Sequence, residues 1–537
     1  MELVTEPFNP HISSSFSERK HELARALRIA EASRRSTTPA LLANARAGLA
    51  AIPYLLARAT DAALAARRTS SPLPRGNPNE VLRAAALALG PEVLPAEGLG
   101  EEAALERVAH VLAAQGLDLS HPRAAAHLQP PALSVAVAAD ALASASNASL
   151  DTYDSGPSGI AVERWLVRVL AQLAGLAPDA DGVLTPGGSL SNLLALLLAR
   201  DAAALRVGVD ARRDGVGALN QPVVLCSELA HFSVHRACAA LGLGEAAVIP
   251  VPTDERRRIA PGELARLLES LAGSTVMAVV ATAGTTDFGS IDPLPEVAEL
   301  ARAHGAWFHV DAAYGFGALF SERLAERLRG LERADSITLD LHKLGWQPAA
   351  ASVLLVQGRA AFAPLQREVA YLNPIDDIDA GLDGLLGRSL QTTRRPDAVK
   401  VTTTLLAYGR RGLGDMVDIC HDLARHAEHR IVFEPELELV APAELTTVVF
   451  RYVPRGTRLT PEISDELNGR LRRWLIETGV ALIGRTLARG PGDSSSQVCL
   501  KLTLLNPTAT PRDIDELLDA VLNAGRELSR QVEGPRT

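Results

Sequence analysis

The stretch LDLHKLGWQP, residues 339–348, sets His342 and Lys343 directly behind an apolar, strand-like run. Most lysines in a soluble chain are solvated surface charges. This one stands where a strand hands over to a loop, and open parallel sheets collect their ligands beyond the carboxyl ends of their strands. The residues directly behind each strand therefore decide the reading, beginning with Lys343 and moving outward.

Short β-rich runs recur between about 120 and 360: VVLCS (223–227), VMAVVATAG (276–284), WFHVDAA (307–313), SITLDLH (336–342) and ASVLLV (351–356). Helical stretches such as PLPEVAELARAHG (293–305) separate most of them. Alternation of this kind predicts an α/β fold with a mostly parallel sheet covered by helices. Behind GVLT comes PGGSLSNLLALLLAR (186–200), where Gly187, Gly188 and Ser189 open a helix. Free backbone N–H groups and a positive helix end make such a turn an anion cradle. Behind VVLC comes His231, behind VVATAG come Thr285 and Thr286, and behind WFHV comes Asp311. Each has an ordinary structural reading as a cap, a turn former or a core histidine. Gathered at one sheet edge they supply an anion site, a flat imidazole, a carboxylate and an amine. Pyridoxal 5′-phosphate needs that set: a cradle for its phosphate, a stacking partner for its ring, a carboxylate at its pyridine nitrogen and a lysine for its aldehyde.

Composition narrows the alternatives. Lys+Arg total 54 against 63 Asp+Glu, a formal charge of −9, which argues against sequence-independent nucleic-acid binding, since that needs a basic stripe. Four scattered cysteines with no CxxC pair argue against a structural metal and suit a reducing compartment. MELVTEPFNPHISSS lacks the basic and apolar regions of a signal peptide, and LLALLLAR (193–200) stops at Arg200 and Asp201, short of a membrane span. A cytoplasmic protein with no membrane or nucleic-acid partner is expected. A nicotinamide-binding chain would need GxGxxG after its first strand, a spacing that TPGGSLSN does not have.

TPGGSLSN, SELAHFSVHRAC, ATAGTTDFGSIDPL, WFHVDAAYG and ADSITLDLHKLGWQP stand in the order found in a known family. The sequence resembles the group II pyridoxal-phosphate-dependent amino-acid decarboxylases over roughly 115–530. The resemblance implies an aspartate-aminotransferase-like fold (PLP fold type I). With the Ala/Leu/Arg-rich helical pattern before about 115 and the change of character in the tail, the chain is expected to divide into an N-terminal, dimer-forming helical segment (1–115), a large cofactor domain (116–395) and a small C-terminal α+β domain (396–537). The resemblance also implies a homodimer with the active site at the interface. By the same resemblance Lys343 is similar to the lysine that carries the cofactor, Asp311 to the pyridinium partner and His231 to the ring-stacking histidine. Gly187, Gly188, Ser189, Thr285, Ala313 and His342 resemble further cofactor contacts. Tyr371, in EVAYLNP (368–374), resembles the general acid of the family's mobile loop.

HPRAAAHLQPP (121–131) resembles the substrate-side loop, with His127, Leu128 and Gln129 facing the pocket. Alanines at 124–126 replace the bulky aromatics typical of aromatic-amino-acid decarboxylases. NASLDTYDSGPSGIAVE (147–163), YLNP, SLQTTRRPDAVK (389–400) and LKLTLLNP (500–507) look closest to the diaminobutyrate and lysine decarboxylase branch. The expected reaction is decarboxylation of an aliphatic or basic L-amino acid (2,4-diaminobutyrate, lysine or ornithine), with Asp151 and Asp154 as candidates to receive a side-chain cation. Two alternatives stay open: a decarboxylating aldehyde synthase or transaminase on the same scaffold, and an inactive structural homologue. Within the resemblance a phenylalanine at the loop position favours aldehyde formation, and Tyr371 argues against it.

Overall fold

The computed structural model describes residues 41–532 apart from Thr457, Arg458, Pro491, Gly492 and Ser494. The first forty residues of the expected N-terminal segment lie outside the described residues. The chain divides into two units. The described part of the first comprises 41–67, 84–114 and 145–147. Its helix Arg46–Ala66 leaves Leu49, Leu56 and Leu64 exposed, and Arg58 pairs with Glu102 and Glu106 within the same unit.

The second unit holds two sheets. The larger is built from β1 (Asp181–Thr185), β2 (Val223–Ser227), β3 (Val248–Val251), β4 (Val276–Thr282), β5 (Trp307–Asp311), β6 (Ser336–Asp340) and β7 (Ser352–Val356). Their order is β1-β7-β6-β5-β4-β2-β3. Every pairing from β6 to β3 is parallel, and β7 runs antiparallel to both β6 and β1. The central strands are almost wholly buried, as a sheet covered on both faces requires. Alternate residues feed two cores. Leu225, Val279 and Ala281 join Leu264, Val297 and Ala301 on one side, and Val224, Ala278 and Val280 join Leu196, Ala199 and Ala203 on the other.

Parallel register brings the carboxyl ends of these strands to one edge, where Thr282 lies beside Asp311 and Asp311 beside Thr338. β1 is pinned from behind by a buried ion pair. Glu163 accepts from Leu184 N–H and binds Arg394 at 2.8 Å, and Arg394 also donates to the Leu184 carbonyl. Burial raises the Glu163 carboxyl and Arg394 opposes the rise.

The smaller sheet comprises β8 (Leu437–Ala441), β9 (Thr447–Tyr452), β10 (Leu482–Ala488) and β11 (Gln497–Thr503) in the order β10-β11-β9-β8. A two-residue strand, Ala124–Ala125, pairs parallel with Leu482 and Ile483 at the β10 edge. Helices Pro461–Glu477 and Pro511–Val532 pack on this sheet. The second starts as its sequence dictates: Thr510 caps it by exchanging hydrogen bonds with Asp513, and Pro511 occupies the first helical position.

One expectation needs correction. Among the described residues two helices, Arg46–Ala66 and Gly188–Arg206, are long and apolar enough to cross a membrane by length and composition. The second spends its apolarity on the sheet, with Leu194, Leu196, Leu198 and Ala199 buried.

Candidate active site

A cavity of about 240 Å³ opens at the carboxyl edge of the larger sheet. Gly187, Gly188, Ser189, His231, Asp311, Ala313, His342 and Lys343 all line it. The remaining lining residues are Asn192, Thr282, Gly284, Thr286, Tyr314 and Asp340. Thr285 does not line it: its hydroxyl is bonded to Ser290 at 2.6 Å, and Gly284 and Thr286 on either side face the space instead. Gly284 has φ +98°, and a Cβ there would meet Gly315 N at 2.9 Å, so the turn demands glycine.

Gly188 begins the helix Gly188–Arg206, whose first N–H groups lack intrahelical partners and face the cavity. A Cβ on Gly188 would lie 3.0 and 3.1 Å from the two carboxylate oxygens of Asp340. Asp340 ends β6, accepts from Ser352 Oγ and stands 3.0 Å from Lys343 Nζ. Behind Lys343, Trp346 adopts φ +53°, an uncommon conformation for a bulky residue. Its buried indole holds that turn by donating to the Leu505 carbonyl at 2.8 Å.

Asp311 is held by a directed chain of donors. Its Oδ1 accepts from Ala313 N–H at 3.1 Å and its Oδ2 from Asn192 Nδ2 at 2.8 Å. Asn192 also donates to Ser233 Oγ, and that hydroxyl is hydrogen-bonded to His231 Nδ1 at 2.8 Å, the nitrogen that also accepts from Ser233 N–H. On the far side Trp307 donates to Ser336 Oγ, Ser336 to His309 Nδ1, and His309 Nε2 to Asn192 Oδ1. Burial lowers the pKa of His231, with Lys343 adding to the shift and Asp311 opposing it; burial takes His309 down to about 4. Both rings are neutral at pH 7, which suits His231 to stacking on a flat ring.

The other expected residues lie elsewhere. Tyr371 is 84% exposed in a turn built on Asn373 and does not line the cavity. His127, Leu128 and Gln129 come after the Ala124–Ala125 strand without lining it. Burial and then Lys501 depress His127, and Lys501 binds Asp287, next to the lining residue Thr286. Asp154 caps Thr152 from the surface. Asp151 is buried against the 384–386 segment, and its Oδ1 has no hydrogen-bond partner.

The residues fit pyridoxal 5′-phosphate on structural grounds. His342 Nδ1 and Thr282 Oγ1 are buried without partners at the cavity wall, and the Gly187–Ser189 turn leaves room that side chains would fill. Among the described residues no cluster of three metal-ligating side chains occurs.

Residues 84–453 match the model of the pyridoxal-dependent decarboxylase conserved domain. The chain is 44% identical over 440 residues to L-2,4-diaminobutyrate decarboxylase of Rhizobium meliloti (strain 1021), covering 81% of this chain and 84% of that one. It is 36% identical over 437 residues to the Acinetobacter baumannii protein of the same name, covering 79% and 84%. Among solved structures it resembles the glutamate decarboxylase domain of diaminobutyrate-pyruvate transaminase and L-2,4-diaminobutyrate decarboxylase from Vibrio parahaemolyticus. That match has a TM-score of 0.79 at 31% identity and covers 90% of this chain and 97% of that one.

Proposed function

This chain belongs to the pyridoxal-dependent decarboxylase family, and we propose that it converts L-2,4-diaminobutyrate to its amine and CO₂. It is a PLP-dependent amino-acid decarboxylase of fold type I. The observation that carries the reading is the convergence of Lys343, Asp311, His231 and the Gly187–Ser189 turn on one cavity.

The bound cofactor supplies the electron sink for the electrons of the breaking Cα–carboxylate bond. The chain does the rest. The helix start at Gly188 would hold the phosphate, Asp311 would keep the pyridine nitrogen protonated, neutral His231 would lie against the ring, and Lys343 would be the amine for the aldehyde. Tyr371 returns a proton to the substrate's Cα once its loop reaches the cavity.

The substrate reading is supported by the two diaminobutyrate decarboxylases among the relatives and by a cavity wall whose one phenol, Tyr314, has its hydroxyl tied to Thr446. Asp151, buried with an unpartnered oxygen, is the carboxylate available for the second ammonium. We place the enzyme in the cytoplasm as a homodimer. The exposed Leu49, Leu56 and Leu64, and a cavity whose lining leaves out Asp151 and Tyr371, support pairing of two copies. Light scattering on the purified protein tests the dimer. Competition among diaminobutyrate, ornithine, lysine, valine, glutamate and DOPA, read as CO₂ and amine, tests the substrate; preference for any of the others over diaminobutyrate would overturn it.

A further inference from the structure

We propose that Asp340 takes the proton of Lys343 as the cofactor's phosphate enters the Gly187–Ser189 turn, so that phosphate arrival itself frees the attaching amine. The inference rests on the cofactor and not on the substrate.

The geometry poses a conflict. Asp340 is nearly fully buried, and its two oxygens lie 3.0 and 3.1 Å from where a Cβ on Gly188 would stand. A carboxylate therefore packs against the turn that must receive a phosphate, which carries close to two negative charges at neutral pH. Like charges this close cannot both stay ionised without a counter-charge. Lys343, at 3.0 Å, is the one lysine or arginine among the described residues that line the cavity. His342 Nε2 is 3.7 Å from Asp340, but burial holds that ring neutral, as it does His231 across the cavity. Ser352 only donates a hydrogen bond, Asp311 adds a further negative charge, and Lys400 is committed to Asp140 and Asp397.

Before loading, the Asp340–Lys343 pair stores the lysine as an ammonium, which is no nucleophile. When the phosphate docks, the proton on Nζ moves to Asp340 Oδ2. Ammonium and carboxylate become amine and carboxylic acid, with no change in total charge. The acid then presents a hydroxyl to the phosphate in place of a repelling charge. Raising the pH strips that proton from the loaded state first, because the ammonium of the unloaded pair is held by its carboxylate. Cofactor affinity accordingly falls with rising pH.

Apo wild type and Asp340→Asn are titrated with pyridoxal 5′-phosphate, and with pyridoxal, between about pH 6.5 and about pH 8.5. Tryptophan fluorescence gives the dissociation constant, and borohydride reduction with peptide mapping locates the adduct. Wild type should lose about tenfold in phosphate-cofactor affinity across that range, and Asp340→Asn should bind about tenfold more tightly at the upper end without weakening. With pyridoxal, which brings no phosphate charge, the difference between the two proteins should be several-fold smaller. A wild-type pH slope in Asp340→Asn, or an equal effect with pyridoxal, overturns the proposal while the Lys343 adduct leaves the cofactor reading intact. Should Asp340→Asn not fold by circular dichroism, wild type alone decides, since equal slopes for the two cofactors overturn it. Absence of any Lys343 adduct in wild type overturns both readings.

Discussion

Asparagine at position 311 keeps the shape of the side chain and removes its charge, and the structure allows the two consequences to be separated. Both Asp311 oxygens accept from groups that can only donate, Ala313 N–H and Asn192 Nδ2. An asparagine offers one oxygen, so one donor meets an NH₂ instead. A flip of Asn192 would relieve that contact, but it would turn the amide nitrogen toward His309 Nε2–H, which donates to Asn192 Oδ1. With His309 in its present tautomer one buried donor is left unsatisfied, which costs about 1–3 kcal/mol in the unloaded protein; a switch of its proton to Nδ1, which faces the Ser336 carbonyl at 3.2 Å, is the one relief. The second consequence belongs to the loaded enzyme. Without the carboxylate the pyridine nitrogen loses its proton and the electron sink weakens, so turnover should fall by orders of magnitude, roughly 10²-fold or more. Urea denaturation of the apo proteins measures the first effect. CO₂ release at saturating cofactor measures the second. Asp311→Asn within tenfold of wild-type turnover at full loading would refute the charge argument, whatever its stability (tenfold being about 1.4 kcal/mol of barrier).

Lys343→Ala should give a protein that yields no borohydride-trapped adduct; a persistent adduct would move the attachment elsewhere. Tyr371→Phe should slow amine formation by about 10²–10⁴ and release some aldehyde and peroxide, measured by chromatography and a peroxide assay; an unchanged amine rate removes Tyr371 from the mechanism. Glu163→Ala leaves Arg394 buried and unpaired and should destabilise the fold by about 3–5 kcal/mol in denaturant titrations. His309 binds a proton only near pH 4 when folded but near its ordinary 6.5 when unfolded, so the unfolded chain holds more protons in between. Stability should therefore fall by about 3 kcal/mol as pH drops through that window, a slope that denaturation of His309→Gln should lack.

The larger sheet was legible because its strands are unbroken apolar runs, and the residues behind them inherit their positions from the parallel register. β3 escaped notice because Pro250 interrupts VIPV. A proline is tolerated there because β3 is an edge strand. Ala124–Ala125 carries no local signal at all, since its pairing is set by β10. In the cavity wall Thr286 appears and Thr285 does not, because a strand end does not reveal which of two adjacent threonines turns inward. Asp340 went unread although it lies in the same stretch as Lys343, three residues ahead. Asn192 also had a signal: it sits one helical turn, four residues, past Gly188 on the same face. The loop residues Tyr371 and Asp151 depend on contacts that no strand register fixes.

The pairing of Ala124–Ala125 with β10 joins residues more than 350 positions apart. During synthesis the segment that becomes this edge emerges long before the sheet it completes. A fragment beginning near residue 396 would have every other strand of the smaller sheet but would present β10 with an open row of N–H and C=O groups, the kind of edge that recruits other chains. Such a fragment should aggregate unless the 118–130 peptide is supplied in trans. Transplanting the C-terminal sheet between relatives would likewise require moving that distant peptide with it. The substrate-side loop, tethered directly behind Ala125, would travel as an unavoidable passenger.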